Sequence, residues 1–124
     1  MKSVIISALL LITVTVGVTV NSVYTCKAVD ILTLYAEKLN TDANTSDAQK
    51  NAFETLNNEW ERKKNVLVYL YDYREIENIE TSIVRIKSAI YSGDMAEFAI
   101  YKGELLYSLS RLKELSTFSF KNIL

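Results

Sequence analysis

The stretch Val4-Ile5-Ile6-Ser7-Ala8-Leu9-Leu10-Leu11-Ile12-Thr13-Val14-Thr15-Val16-Gly17-Val18-Thr19-Val20-Asn21-Ser22-Val23 decides how the rest of the chain is read. No charged residue occurs between Lys2 and Lys27. A helix rises ~1.5 Å per residue, so about 20 residues cross a ~30 Å hydrocarbon core. Twelve residues of the stretch are Val, Ile or Leu. At roughly −0.3 to −0.6 kcal/mol each near the bilayer centre, they favour insertion by on the order of −4 to −7 kcal/mol. The Thr and Ser hydroxyls can bond back to the preceding turn of such a helix. Thr13 to Val20 also alternates with the period of a strand, but both faces of that strand would be uncharged and neither would suit water. The expectation is a membrane-inserting helix over residues 4–23.

Lys2 gives this helix a basic start, as in a secretory signal. The apolar run exceeds the ~7–15 residues of a signal core, and no Ala-x-Ala follows it. Val20-Asn21-Ser22 is a tolerable cleavage site, and Val23-Tyr24-Thr25-Cys26 faintly resembles a lipoprotein box. The reading is an uncleaved single-pass cell-membrane anchor in residues 1–26, with residues 27–124 as the domain. A short basic N-terminus favours the N-in orientation, with the domain extracytoplasmic in a bacterial envelope. Secretion after signal cleavage is the alternative.

Residues 27–124 carry thirteen Lys or Arg and fifteen Asp or Glu. This slight acidity argues against nucleic acid, which needs a clustered basic footprint. Proline is absent and glycine occurs three times, the composition of a helix-rich chain. Cys26 is the single cysteine, so an internal disulfide is impossible. Histidine is absent, which removes the commonest general base, the usual triads and the usual zinc and haem ligands. No glycine-rich phosphate loop occurs. The expectation is a non-enzymatic protein without cofactor or metal.

Periodicity divides the domain into helices. Ala28, Ile31, Leu32, Tyr35 and Leu39 share one face, so the membrane helix is expected to run on to about Leu39. Residues 40–45 read as a loop. Asp42, Asn44 and Ser46 stand at calcium-loop spacing, but Asp47 occupies the glycine position and Phe53 that of the bidentate acid. Ser46 with Gln49 forms a capping box for a second helix, whose stripe is Phe53, Leu56, Trp60, Leu67, Leu70 and Tyr71. Lys63 and Lys64 interrupt it, within the basic run Arg62-Lys63-Lys64. Long lysine stems over the core, beside Glu59 and Glu61, are the plainer reading than a basic patch for lipid or a partner. Val66 to Tyr73 has strand-like composition but is read as helix.

Asp72 with Glu75 caps a third helix with the stripe Ile76, Ile79, Ile83, Ile86 and Ile90. Gly93 suits a left-handed helix end, and Asp94 with Glu97 starts a fourth helix that returns as an antiparallel hairpin. The fourth helix is expected to bury Phe98, Tyr101, Leu105, Leu109 and Leu112, and the apolar end, Ser116 to Leu124, to dock on the bundle. The predicted fold is all-α: a transmembrane helix continuing into a small antiparallel three- to four-helix bundle, with Phe53, Trp60, Ile83 and Leu105 buried together.

Helix four carries a second line: Ala96, Ile100, Gly103, Tyr107 and Ser110. A mid-helix glycine costs about 1 kcal/mol relative to alanine, so a close neighbour is expected at Gly103. That neighbour is either another helix of the bundle or an outside partner met by Ala96, Ile100, Gly103 and Tyr107. Tyr35, Tyr69, Tyr71, Tyr101 and Tyr107 would line the cavity of a ligand-sensing or lipid-binding domain, or else pack the core with hydroxyls at its edge. Asp72, Glu75, Glu77 and Glu80 are the only catalytic candidates, and a solvated helix face explains them as well.

The run Tyr71-Asp72-Tyr73-Arg74-Glu75-Ile76, the Ser92-Gly93-Asp94 link and the close Phe118-Ser119-Phe120-Lys121-Asn122-Ile123-Leu124 are similar to a family of short clostridial-type proteins, domain of unknown function 4363. Asp72 to Ile79 and Phe118 to Leu124 are its most specific parts. The resemblance implies a membrane-anchored helical protein and points to a multipass membrane protein as partner. It brings no established activity and no catalytic residues.

Overall fold

The computed structural model describes residues 1–39 and 46–123, with side-chain surroundings for all of these except 46 and 119–123. Four helices follow in order: α1 (Lys2–Lys38), α2 (Ser46–Leu70), α3 (Tyr73–Ser92) and α4 (Met95–Ile123). No strand occurs among the described residues. α1 packs on α2 and α4, and α3 packs on the same two, giving an up-down-up-down four-helix bundle. The chain is therefore all-α with four helices, because the second half of α1 is itself a corner of the bundle.

α1 has two halves. In the first, the large aliphatic side chains from Val4 to Val20 stand exposed except for the half-buried Val18, and the most apolar window is wholly unburied. The hydroxyls of Thr13, Thr15 and Thr19 each donate at 2.8 Å to the carbonyl four residues back, so they present no free donor sideways. By length and composition this half suits a membrane anchor or a signal sequence. In the second half Thr25, Ala28, Val29, Leu32, Ala36 and Leu39 are buried. Ile31, expected on the inner face, is exposed, and Val29 and Ala36 are buried in addition. α1 meets α2 on one side and α4 on the other, and its inward arc centres on Val29, Leu32 and Ala36, leaving Ile31 outside it.

α2 buries Phe53, Leu56, Trp60 and Leu67. It remains helical through the strand-like run as far as Leu70, and the chain then turns at Tyr71 and Asp72. Leu70, expected in the stripe, is exposed because the helix is already ending. The basic run is neutralised rather than free. Arg62 and Lys63 both reach Glu59 at 3.1 Å, and Lys64 pairs with Glu80 of α3. Gln49 is buried, and residues 40–45, with the calcium-like spacing, lie outside the described residues.

Asp72 caps α3 by accepting from the Arg74 backbone N–H at 3.4 Å. The expected reciprocal capping box does not close, because Glu75 instead accepts from Arg111 Nε of α4 at 3.1 Å, a charge-assisted bond. All five isoleucines of the α3 stripe are buried. Gly93 sits at φ 76°, with its N–H bonded to Ile90 O and the Asp94 N–H to Ala89 O. This pairing is the Schellman end that a side chain with Cβ disfavours. Asp94 Oδ1 then accepts from the Glu97 N–H at 3.1 Å, and the chain reverses into α4.

α4 buries Phe98, Leu105, Leu109 and Leu112, with Tyr101 half-buried. At one end Lys102 Nζ donates to the Leu39 carbonyl at 2.6 Å, capping the end of α1. At the other, Ser116 is buried and its hydroxyl donates to Ser22 O at 3.4 Å. Of the apolar C-terminal stretch expected to dock, Ser116 is buried and Phe118 is exposed, and the side chains from 119 onward lie outside the described residues. Phe53, Trp60, Ile83 and Leu105 belong to one core cluster, as the periodicity predicted.

Candidate interaction groove

The hairpin of α3 and α4 leaves an open groove of about 730 Å³ along its outer side. Glu77, Asn78, Thr81, Ser82 and Arg85 form the α3 wall, and Ile100, Gly103, Glu104, Tyr107 and Ser108 form the α4 wall. Glu77, Asn78, Ser82 and Arg85 lie one position beside the isoleucine stripe and Thr81 two, so burying that stripe turns them toward the mouth of the seam with α4. The α4 residues recur at helical spacing beside the Phe98–Leu105–Leu109 stripe for the same reason.

Gly103 is exposed, and a Cβ added there would meet nothing within 4 Å among the described residues. This corrects the reading in which a neighbouring helix of the same bundle presses on it. α4 touches α1 and α3 through wider arcs on either side of its core stripe, so the second line is left outward. Ala96 is exposed at one end of the line, and Ser110 at the other. Ile100 is 60% exposed and Tyr107 68%. The glycine thus leaves a flat strip of bare backbone between two large side chains.

Charges ring the groove. Arg85 Nη1 stands 4.0 Å from Glu104 Oε2, and its guanidinium lies 5.5 Å from the centre of the Tyr101 ring. Ser82 spends its hydroxyl on Asn78 O at 3.0 Å. Glu77 is exposed. Beyond the groove, Glu75 holds the Arg111 guanidinium above its ordinary range through their hydrogen bond. Asp30 does the same for the Lys113 ammonium, joining α1 to α4.

The carboxylates considered for catalysis do not share a cleft. Asp72 caps α3, Glu75 holds Arg111, Glu80 holds Lys64 and Glu77 borders the groove. The five tyrosines do not line one cavity either. Tyr35, Tyr71 and Tyr101 pack half-buried against the core, whereas Tyr69 and Tyr107 are exposed at different places. Among the described residues no cluster of Cys, Asp and Glu stands close enough to hold a metal ion.

Apart from Glu77, the α3 wall was not among the residues singled out in the sequence. Asn78, Ser82 and Arg85 recur at i, i+4 and i+7, but their polar side chains read as any solvated helix face. Only the hairpin's rotation sets them opposite Gly103.

These features define a four-helix bundle protein that continues from a long apolar N-terminal helix and opens a groove along its α3–α4 hairpin. The chain belongs to the family described as domain of unknown function (DUF4363), whose model matches residues 20–123. The match spans the bundle and takes in only the last turn of the apolar run. No curated protein and no solved structure matches the chain.

Proposed function

We propose that this protein is a non-enzymatic accessory module, held to the cell membrane by residues 4–23, that binds a helix of a multipass membrane protein in its α3–α4 groove. The observation that carries the reading is Gly103. A glycine on an exposed helix face, with open space above it and Ile100 and Tyr107 on either side, has no use inside this bundle. It costs helix stability that alanine would restore. Close approach of another helix backbone recovers that cost, with the isoleucine and tyrosine as side-chain anchors. Engagement of Asp72, Glu75 and Glu80 in a cap and two ion pairs supports a non-enzymatic role. In this reading the anchor is uncleaved, its N-terminus is cytoplasmic and the bundle is extracytoplasmic.

A photo-crosslinking residue at Ile100 tests the groove in native membranes. Crosslinks to a membrane protein that disappear on Gly103→Leu, while the purified variant melts no lower than the parent, are the expected result. Crosslinks that survive Gly103→Leu overturn the groove. Orientation is read separately with Ser92→Cys, on an exposed turn far from α1's apolar half, and an impermeant thiol reagent. Labelling only after lysis would reverse the topology.

A further inference from the structure

The end of the bundle from which α1's apolar half emerges has its own character. Tyr71 OH donates to Thr25 Oγ1 at 2.8 Å, and Ser116 Oγ donates to Ser22 O at 3.4 Å. The α2–α3 turn and the last turns of α4 therefore both meet α1 at residues 22–25, where the apolar run ends. At this end Tyr69 is 87% exposed, Tyr73 75%, Phe118 63% and Leu70 38%. None of the four is needed by the core. Tyr91, near the opposite end, is exposed too, but Lys50 Nζ lies 4.7 Å from the centre of its ring. α4 also remains helical for seven residues beyond Ser116.

We propose that this end of the bundle is a second lipid contact, with Tyr69, Leu70, Tyr73 and Phe118 seated in the headgroup layer of the same bilayer that α1 crosses. The inference rests on the anchor reading and deepens it. Tyrosine suits that layer because its ring is apolar and its hydroxyl reaches water. The occupant is lipid rather than another protein because all four side chains lie within two positions of Tyr71 or Ser116, whose hydroxyls bond α1 where its apolar run ends. The interfacial layer is ~5–7 Å deep on each side, enough to take these side chains from two separate elements. Contacts from the α2–α3 turn and from α4, on top of the α1 anchor, stop the bundle from pivoting. They hold Tyr107 roughly 14 Å above Ser116, so the groove faces helices that project only a short way from the bilayer.

The full-length protein with Cys26→Ser tests this, carrying one cysteine at Tyr69, Phe118, Ser92 or Val16 and labelled with a polarity-sensitive fluorophore. Each is placed in phosphatidylcholine–phosphatidylglycerol vesicles carrying a spin-labelled quencher lipid, shallow in one sample and deep in the acyl chains in another. Tyr69 and Phe118 are exposed, so labelling them disturbs no packing, and circular dichroism with Cys26→Ala as second background checks folding. The expected result is blue-shifted emission at 69 and 118 quenched by the shallow lipid, emission at 16 quenched by the deep one, and position 92 quenched by neither. Emission at 69 and 118 matching position 92, while 16 is quenched, overturns the proposal and leaves the anchor standing. Absence of quenching at 16 removes the anchor reading and the proposal with it.

Discussion

The hydroxyl of Tyr71 donates a 2.8 Å hydrogen bond to Thr25 Oγ1, tying the α2–α3 turn to α1 where its apolar half ends. Thr25 is fully buried, and its own hydroxyl donates to Asn21 Oδ1 at 3.2 Å. Tyr71→Phe is expected to cost about 1 kcal/mol in denaturant unfolding of the detergent-solubilised chain. Thr25→Val should cost a similar amount, and the double variant less than the sum, since both break one link. Strict additivity would mean that the bond does not form in solution.

Ile83 is buried in the central cluster, and the adjacent Val84 is exposed. Ile83→Ala should destabilise by ~2–5 kcal/mol through the cavity it leaves. Val84→Ala should stay within about 0.5 kcal/mol of the parent. Equal effects would place the α3 stripe in the wrong rotation.

Trp60 is buried, and its indole Nε1 has no hydrogen-bond partner among the described residues. An unpaired buried donor costs ~1–3 kcal/mol, which partly offsets what the ring contributes by packing. Trp60→Phe removes that donor and keeps much of the ring, so a loss below ~2 kcal/mol is expected, against ~3–5 for Trp60→Ala. If the two substitutions prove equally costly, the N–H is satisfied by a bound water.

Gly103 has space for a side chain and a helical backbone. Gly103→Ala should therefore raise the stability of the isolated protein by ~0.5–1 kcal/mol. A lower melting temperature would show that the bundle needs the glycine for its own packing, and the groove would lose its main support.

Lys64 of α2 and Glu80 of α3 are hydrogen-bonded, and Glu80 holds the ammonium above the ordinary lysine range. The folded value exceeds the unfolded one, so the bridge contributes fully below the unfolded lysine value, ~10.4. Its contribution disappears as pH rises through the folded value. Both side chains are partly exposed, which keeps the pair below ~1 kcal/mol. The gap in melting temperature between the parent and Lys64→Met should be constant from pH 7 to ~10 and close above that. A gap unchanged at higher pH would assign it to the lysine stem packing on the core.

Local chemistry determined much of this protein. The unbroken apolar run from Val4, the isoleucines at 3-4-3-4 spacing and the Gly93-Asp94 reversal each carry their meaning within a few residues. Helix, stripe and turn were therefore legible before any packing was known, as was the line Ala96–Ile100–Gly103–Tyr107. Whether that line faced inward or outward was not legible, because an apolar line beside a core stripe has the same periodicity in either case. The rotation of α4 between α1 and α3 decided it, together with the opposing α3 wall. Ile31 and Val29 exchanged roles for the same reason, since α1's inner arc depends on where its two neighbours stand. The partners of Glu75, Glu80 and Thr25 were equally invisible: Arg111, Lys64 and Tyr71 lie 36, 16 and 46 residues away in the chain, and only the closed bundle brings them within hydrogen-bonding reach.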